Sequence, residues 1–114
     1  MKPQDVVAAL GALAQDSRLS VFRLLVKRGP EGYTPGELVG KTDIPSPTLS
    51  FHLKELLRAQ LITARREGRF LYYSANFETM QSLIGFLTEQ CCSLSEQACD
   101  STCKPVAVRA KRRA

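Results

Sequence analysis

Four cysteines, Cys91, Cys92, Cys99 and Cys103, are the only thiols in this 114-residue chain, and all fall within one short segment near its end. A lone cysteine is usually buried filler. Four in a polar stretch point instead to a site for a soft ligand. A structural zinc centre would use all four, but Cys-Cys-x6-Cys-x3-Cys lacks the paired knuckle spacing that closes readily on a tetrahedron. Its net negative charge would also sit beside Glu89, Glu96 and Asp100. A nucleophilic thiol wants a helix N-terminus or neighbouring cations, whereas these cysteines follow a helix C-terminus among acids. Thiol oxidation stays open, although directly adjacent cysteines pair only with strain.

Trivalent arsenic or antimony fits the pattern best. Each takes three sulfurs in a pyramid, and arsenous acid, itself neutral, condenses with three thiols to a neutral product and water. Cys91 and Cys92 supply two adjacent sulfurs and Cys99 is the choice for the third, with Cys103 a spare or a substitute. Seven residue steps from Cys92 reach at most about 25 Å, so the site can close within one chain or across two. A two-thiol version would suit a methylated arsenical.

The second chemistry-bearing stretch is Ser46-Pro47-Thr48-Leu49-Ser50-Phe51-His52-Leu53-Lys54-Glu55-Leu56-Leu57-Arg58. Ser46 reads as an N-cap and Pro47 as the first helical residue. Leu49, Leu53, Leu56 and Leu57 form a core-facing stripe. That leaves Ser46, Thr48, Ser50, Phe51, His52 and Lys54 for a face able to read the edges of bases, with Phe51 suited to a thymine methyl.

The elements that must position these residues follow in order. A first helix is expected from Pro3 to Gln15, apolar on more than one side, and a second from Arg18 to Arg28, capped by Asp16-Ser17, with Leu19, Phe22, Leu25 and Val26 inward. Gly29-Pro30-Glu31-Gly32 is a loop. Thr34-Pro35-Gly36-Glu37 is a capping box opening a short helix to Lys41, and the Thr42–Pro45 turn leads to the stretch at Ser46. Short helix, turn and capped helix make a helix-turn-helix. Leu61–Arg66 and Arg69–Ser74 are β-prone runs joined by Glu67-Gly68, a hairpin with Arg65, Arg66 and Arg69 at its tip. Such a wing can lie along the DNA backbone or insert an arginine into the minor groove. Asn76 caps a last helix running to Gln90 or Cys92. The expected fold is mainly α with a small β-hairpin (α+β), a winged helix-turn-helix forming a homodimer through its first and last helices.

Charge supports that layout. The net +5 comes wholly from the tail, Lys104, Arg109, Lys111, Arg112 and Arg113. Within the body, residues 41–69 hold six bases against three acids, and residues 76–103 hold four acids and no base. A positive middle and negative end favour a DNA-facing centre. The expected organisation is 1–92 for DNA binding and dimerisation, 93–103 for the effector, and 104–114 as a basic disordered tail. The Val6–Ala14 run is too short, and follows Asp5 too closely, to read as a leader, and no stretch approaches a membrane span. A cytoplasmic protein with reduced thiols is expected.

With these residues in view, the sequence resembles the ArsR/SmtB family of metal- and metalloid-responsive repressors over residues 5–90. The likeness rests on Asp16-Ser17-Arg18-Leu19, Gly36-Glu37-Leu38, the Ser46–Leu57 helix with His52-Leu53-Lys54, and the Arg65–Tyr73 wing. It implies a winged-helix homodimer that binds operator DNA and needs no cofactor. Members that sense through a Cys-x-Cys after the Glu-Leu pair differ, because Val39 and Lys41 stand there. Members that bind zinc through Asp and His of the last helix differ too, since the one histidine is His52. A cysteine pair at the end of the last helix with a later cysteine resembles the arsenite-responsive members. The reading from another class, a small zinc- or thiol-binding carrier or enzyme domain, finds no acid/base set and no glycine-rich phosphate loop.

Overall fold

A computed structural model describes residues 1–96. Cys99, Cys103 and the basic tail 104–114 lie outside the described residues. Seven elements follow one another: α1 (Pro3–Leu13), α2 (Asp16–Arg28), α3 (Pro35–Thr42), α4 (Ser46–Arg58), β1 (Ile62–Glu67), β2 (Phe70–Ala75) and α5 (Phe77–Thr88). The fold is five helices with one antiparallel hairpin, a winged helix-turn-helix.

Caps set the helix boundaries. The Thr34–Glu37 box forms as the spacing predicts: Glu37 N donates to Thr34 Oγ1 at 3.2 Å and Thr34 N to Glu37 Oε1 at 2.9 Å. Asn76 Oδ1 accepts from Thr79 N at 3.2 Å, and its Nδ2 donates to the Gln60 carbonyl, tying the start of α5 to the end of α4. Two expected caps shift by a residue. Gln15, not Asp16-Ser17, caps α2, its Oε1 accepting from Arg18 N at 2.9 Å. Helix α4 already includes Ser46, with Pro45 before it and no side-chain cap; Pro45 and Pro47 pre-set the backbone instead.

The core gathers where the helices cross. Val21, Leu25, Leu38, Leu49, Leu56, Leu61 and Ile62 are its largest fully buried side chains. In α2 the inward set is Val21, Phe22 and Leu25, and Leu19, expected inside, is 42% exposed. Helix α1 buries only Val6, Ala9 and Ala12 and leaves Val7 and Leu10 in the open; α5 buries only Leu83.

The hairpin pairs Ile62 with Ala75 through Glu67 with Phe70, so its turn is Gly68-Arg69, one residue later than expected. Gly68 has φ +63, a value glycine supplies cheaply at the first position of a tight turn. A single β-bridge adds to the hairpin: Tyr33 N donates to Tyr73 O at 2.9 Å and Tyr73 N to Tyr33 O at 2.8 Å. Gly32 makes this approach possible. Its φ is +74, and a Cβ there would stand 2.5 Å from the Tyr73 carbonyl oxygen. Gly32→Ala is therefore expected to destabilise the protein by about 2 kcal/mol. Gly68→Ala, which meets no atom within 4 Å, should cost about 1 kcal/mol. Urea denaturation of the two variants checks the order.

Candidate nucleic-acid interface

Helix α4 sorts its side chains by rotation. Leu49, His52, Leu53 and Leu56 are buried at i, i+3, i+4 and i+7. Ser46, Thr48, Ser50, Phe51 and Lys54 are exposed, Phe51 at 53%. An open helix face with hydroxyls, a cation and one aromatic ring offers donors, acceptors and an apolar surface in the combination that major-groove readout uses.

His52 corrects an expectation. It does not join the exposed face but is 6% exposed, within the apolar stripe. Its Nδ1 accepts from Arg18 Nε at 3.2 Å, across 34 residues of sequence. Burial, and then the Arg18 charge, lower its pKa below the ordinary 6.5. Helical spacing admits 49, 52, 53 and 56 as readily as 49, 53, 56 and 57, so the sequence left position 52 open. Nothing local announced Arg18 as its partner. The Arg18 guanidinium also lies 5.7 Å from the Phe51 ring centroid and donates to the Ala12 carbonyl at 3.5 Å.

The wing arginines divide as well. Arg65, although its side chain is 42% exposed, is committed to partners within the chain: it donates to the Pro30 and Glu31 carbonyls at 3.2 and 3.1 Å and to Glu67 Oε2 at 2.8 Å, and lies over the Tyr72 ring. It fastens the wing to the α2–α3 loop, a role the tip reading missed because the loop is distant in sequence. That loop is pinned on its other side by Arg28, which donates to the Gly32 carbonyl and stacks 4.9 Å from the Tyr33 ring centroid. Arg66 and Arg69 are exposed, Arg69 in the turn itself. Beside them Phe70 is 58% exposed.

At the other end of the molecule the chain leaves α5 through turns in which Gln90 and Cys92 take left-handed backbone conformations. Cys91 Sγ and Cys92 Sγ stand 3.6 Å apart. The helix ends at Thr88, short of the expected Gln90 or Cys92. Among the described residues no three His, Cys, Asp or Glu side chains gather in a metal-binding group; Cys99 lies outside them. No helix among the described residues is long and apolar enough to cross a membrane.

A short helix, a turn, a second helix with an open polar face and a cationic wing define a winged helix-turn-helix DNA-binding protein. A helix-turn-helix domain family matches residues 13–65. The chain is 38% identical over 77 residues to YceK, an uncharacterised HTH-type transcriptional regulator of Bacillus subtilis, covering 67% of this chain and 76% of that one. It is 33% identical over 92 residues to the arsenical resistance operon repressor of the same organism, covering 81% and 83%. The crystal structure of an ArsR family transcriptional regulator shares the fold, with a TM-score of 0.68 at 24% identity over 86% of this chain and 98% of that one. The chain belongs to the ArsR family and is a transcriptional repressor of the ArsR/SmtB type. Its relatives are DNA-binding regulators rather than enzymes.

Splitting the arginines gives a test. Arg66→Ala and Arg69→Ala are expected to leave stability unchanged and each to reduce the slope of log affinity against log salt by about one for every copy of the chain on the DNA. Arg65→Ala should instead speed amide hydrogen exchange at Tyr33 and Tyr73 by loosening the wing. Binding titrations across salt, with exchange measured by NMR, separate the two behaviours.

Proposed function

We propose that the chain acts as a homodimer, joined through α1 and α5, which holds operator DNA in the absence of effector and releases it when As(III) or Sb(III) binds Cys91, Cys92 and Cys99. Ser46, Thr48, Ser50, Phe51 and Lys54 of α4 face the major groove, and Arg66 and Arg69 reach the flanking backbone or minor groove. Support for the dimer comes from apolar surface left uncovered on one chain: Val7 at 69% and Leu10 at 42% on α1, and Leu87 at 58% on α5. Two such faces brought together would form a twofold interface that matches two half-sites.

The observation that carries the effector reading is the thiol pair. Two sulfurs 3.6 Å apart at the end of the proposed dimer helix suit a soft trivalent centre that prefers sulfur ligands. A third sulfur, from Cys99, completes the pyramid. The likeness to an arsenical resistance operon repressor points the same way. Closing residues 93–99 onto the end of α5 shifts the dimer seam and so the spacing of the two recognition helices. By linkage, DNA weakens the metalloid by the same factor as the metalloid weakens DNA, on the order of 10–100-fold. The adjacency of Cys91 and Cys92 also favours a second reading, in which a methylated arsenical needs only those two thiols.

Cys91→Ser, Cys92→Ser and Cys99→Ser are each expected to keep operator affinity and to lose release by arsenite, read by fluorescence anisotropy of a labelled duplex enriched by the wild-type protein from a randomised pool. A response to methylated arsenite that survives only in Cys99→Ser would select the two-thiol reading. Zinc or peroxide releasing the duplex where arsenite does not would replace the metalloid as effector.

A further inference from the structure

We infer that Arg18 and His52 form a positioning pair that sets how α4 presents its groove face, and that a proton on His52 releases it. The inference rests on the DNA-binding reading of α4 and concerns residues that the effector reading does not use.

The geometry dictates the proton arrangement. An arginine Nε–H can only donate, so His52 Nδ1, 3.2 Å away, must accept, and the neutral ring carries its proton on Nε2. The same guanidinium donates to the Ala12 carbonyl in the last turn of α1 and lies against the Phe51 ring on the exposed side of α4. One planar cation thus ties together α1, the start of α2 and two neighbouring residues of the recognition helix. One of those two is in the core and the other faces the groove. Protonating His52 removes the accepting lone pair and sets two cations side by side, so the link must break. The charged side chains lining the adjoining cleft between α1, α2 and α4 are Arg18, Glu55 and Arg58; α1 adds only Ala8, Gly11 and Ala12. Glu55 and Arg58 pair with each other at 3.5 Å, and Arg18 is the charge that acts on the imidazole. Because the native state lowers the His52 pKa, the unfolded chain takes the proton first. The contribution of neutral His52 is complete above about pH 6.5 and is lost as pH falls from there toward the lowered native value.

His52 is the only histidine in the chain, so a side-chain titration between about pH 7.5 and about pH 5 reports on it. The probe is the duplex enriched by the wild-type protein from a randomised pool. Between those pH values the wild type is expected to lose about tenfold more affinity than His52→Asn, whose amide oxygen can accept from Arg18 but takes no proton. Parallel pH profiles, or wild-type binding that strengthens on acidification relative to His52→Asn, would overturn the inference. Two readouts on the wild-type protein without DNA stand apart from both the variant and the effector reading. Long-range proton–nitrogen NMR should find the proton on Nε2, and the Phe51 and Lys54 amide shifts should move with the His52 titration. A proton on Nδ1, or amides that do not follow the titration, would defeat the pairing even if the protein bound no duplex. Arg18→Ala should weaken binding without changing the salt slope, and should do so in the His52→Asn background as well, because the amide keeps the acceptor. A slope lowered by about one for every copy of the chain on the DNA would make Arg18 a phosphate contact instead.

Discussion

Leu49, Leu53 and Leu56 are each no more than 2% exposed, and α4 can hold Ser50, Phe51 and Lys54 in the open only while that stripe stays covered. Burying a leucine contributes roughly 1.5–3 kcal/mol, so these three alone outweigh any polar contact on the opposite face. The neighbouring elements supply the cover: Leu25 from α2, Leu38 from α3, Leu61 ahead of the wing and Ile62 within it. Rotating the recognition helix would expose this stripe, which is why its outward residues form a defined reading face rather than a wet surface. His52 is the polar member of the buried set, and its hydrogen bond to Arg18 lets an imidazole sit there without leaving a buried group unpaired.

A similar division governs the wing. A two-stranded hairpin is marginal by itself. Here it gains a third pairing at Tyr33 and a clamp from Arg65 on the Pro30 and Glu31 carbonyls. Arg65 therefore serves the wing's position, leaving Arg66 and Arg69 as its outward cations. Like residue types separated by a few positions take different roles because only one of them meets a row of carbonyl oxygens. Gly32 permits the whole arrangement, since any side chain at its Cβ position would collide with the Tyr73 carbonyl.

The two ends of the chain of events are far apart in chemistry. The thiol pair after α5 is a soft-ligand feature, and the face of α4 is a hydrogen-bonding one. Between them stand α1 and α5, helices that bury little against their own chain and leave apolar residues uncovered. A surface of that kind is suited to be repacked, because few intrachain contacts hold it in one place. Arg18 touches α1 through the Ala12 carbonyl and α4 through His52, so a side chain already spans the gap between the proposed dimer seam and the reading face.

The sequence alone determined the features that local chemistry controls. The Thr34–Glu37 box, the Asn76 cap, the leucine stripe of α4 and the hairpin with glycine at its turn all depend on residues within a few positions of one another. Periodicity and capping express such short-range bonds directly. The adjacency of Cys91 and Cys92 was equally plain. Tertiary structure alone decided which side chains of a given type are available. His52 is drawn inward because an arginine 34 residues earlier meets its ring. Arg65 is engaged within the chain, though still exposed, because the carbonyls of Pro30 and Glu31 come to it. Leu19 is left outside because α2 turns Val21, Phe22 and Leu25 toward the core instead. Composition marks what a residue can do, but whether it faces solvent or a partner depends on elements that meet only once the chain has folded.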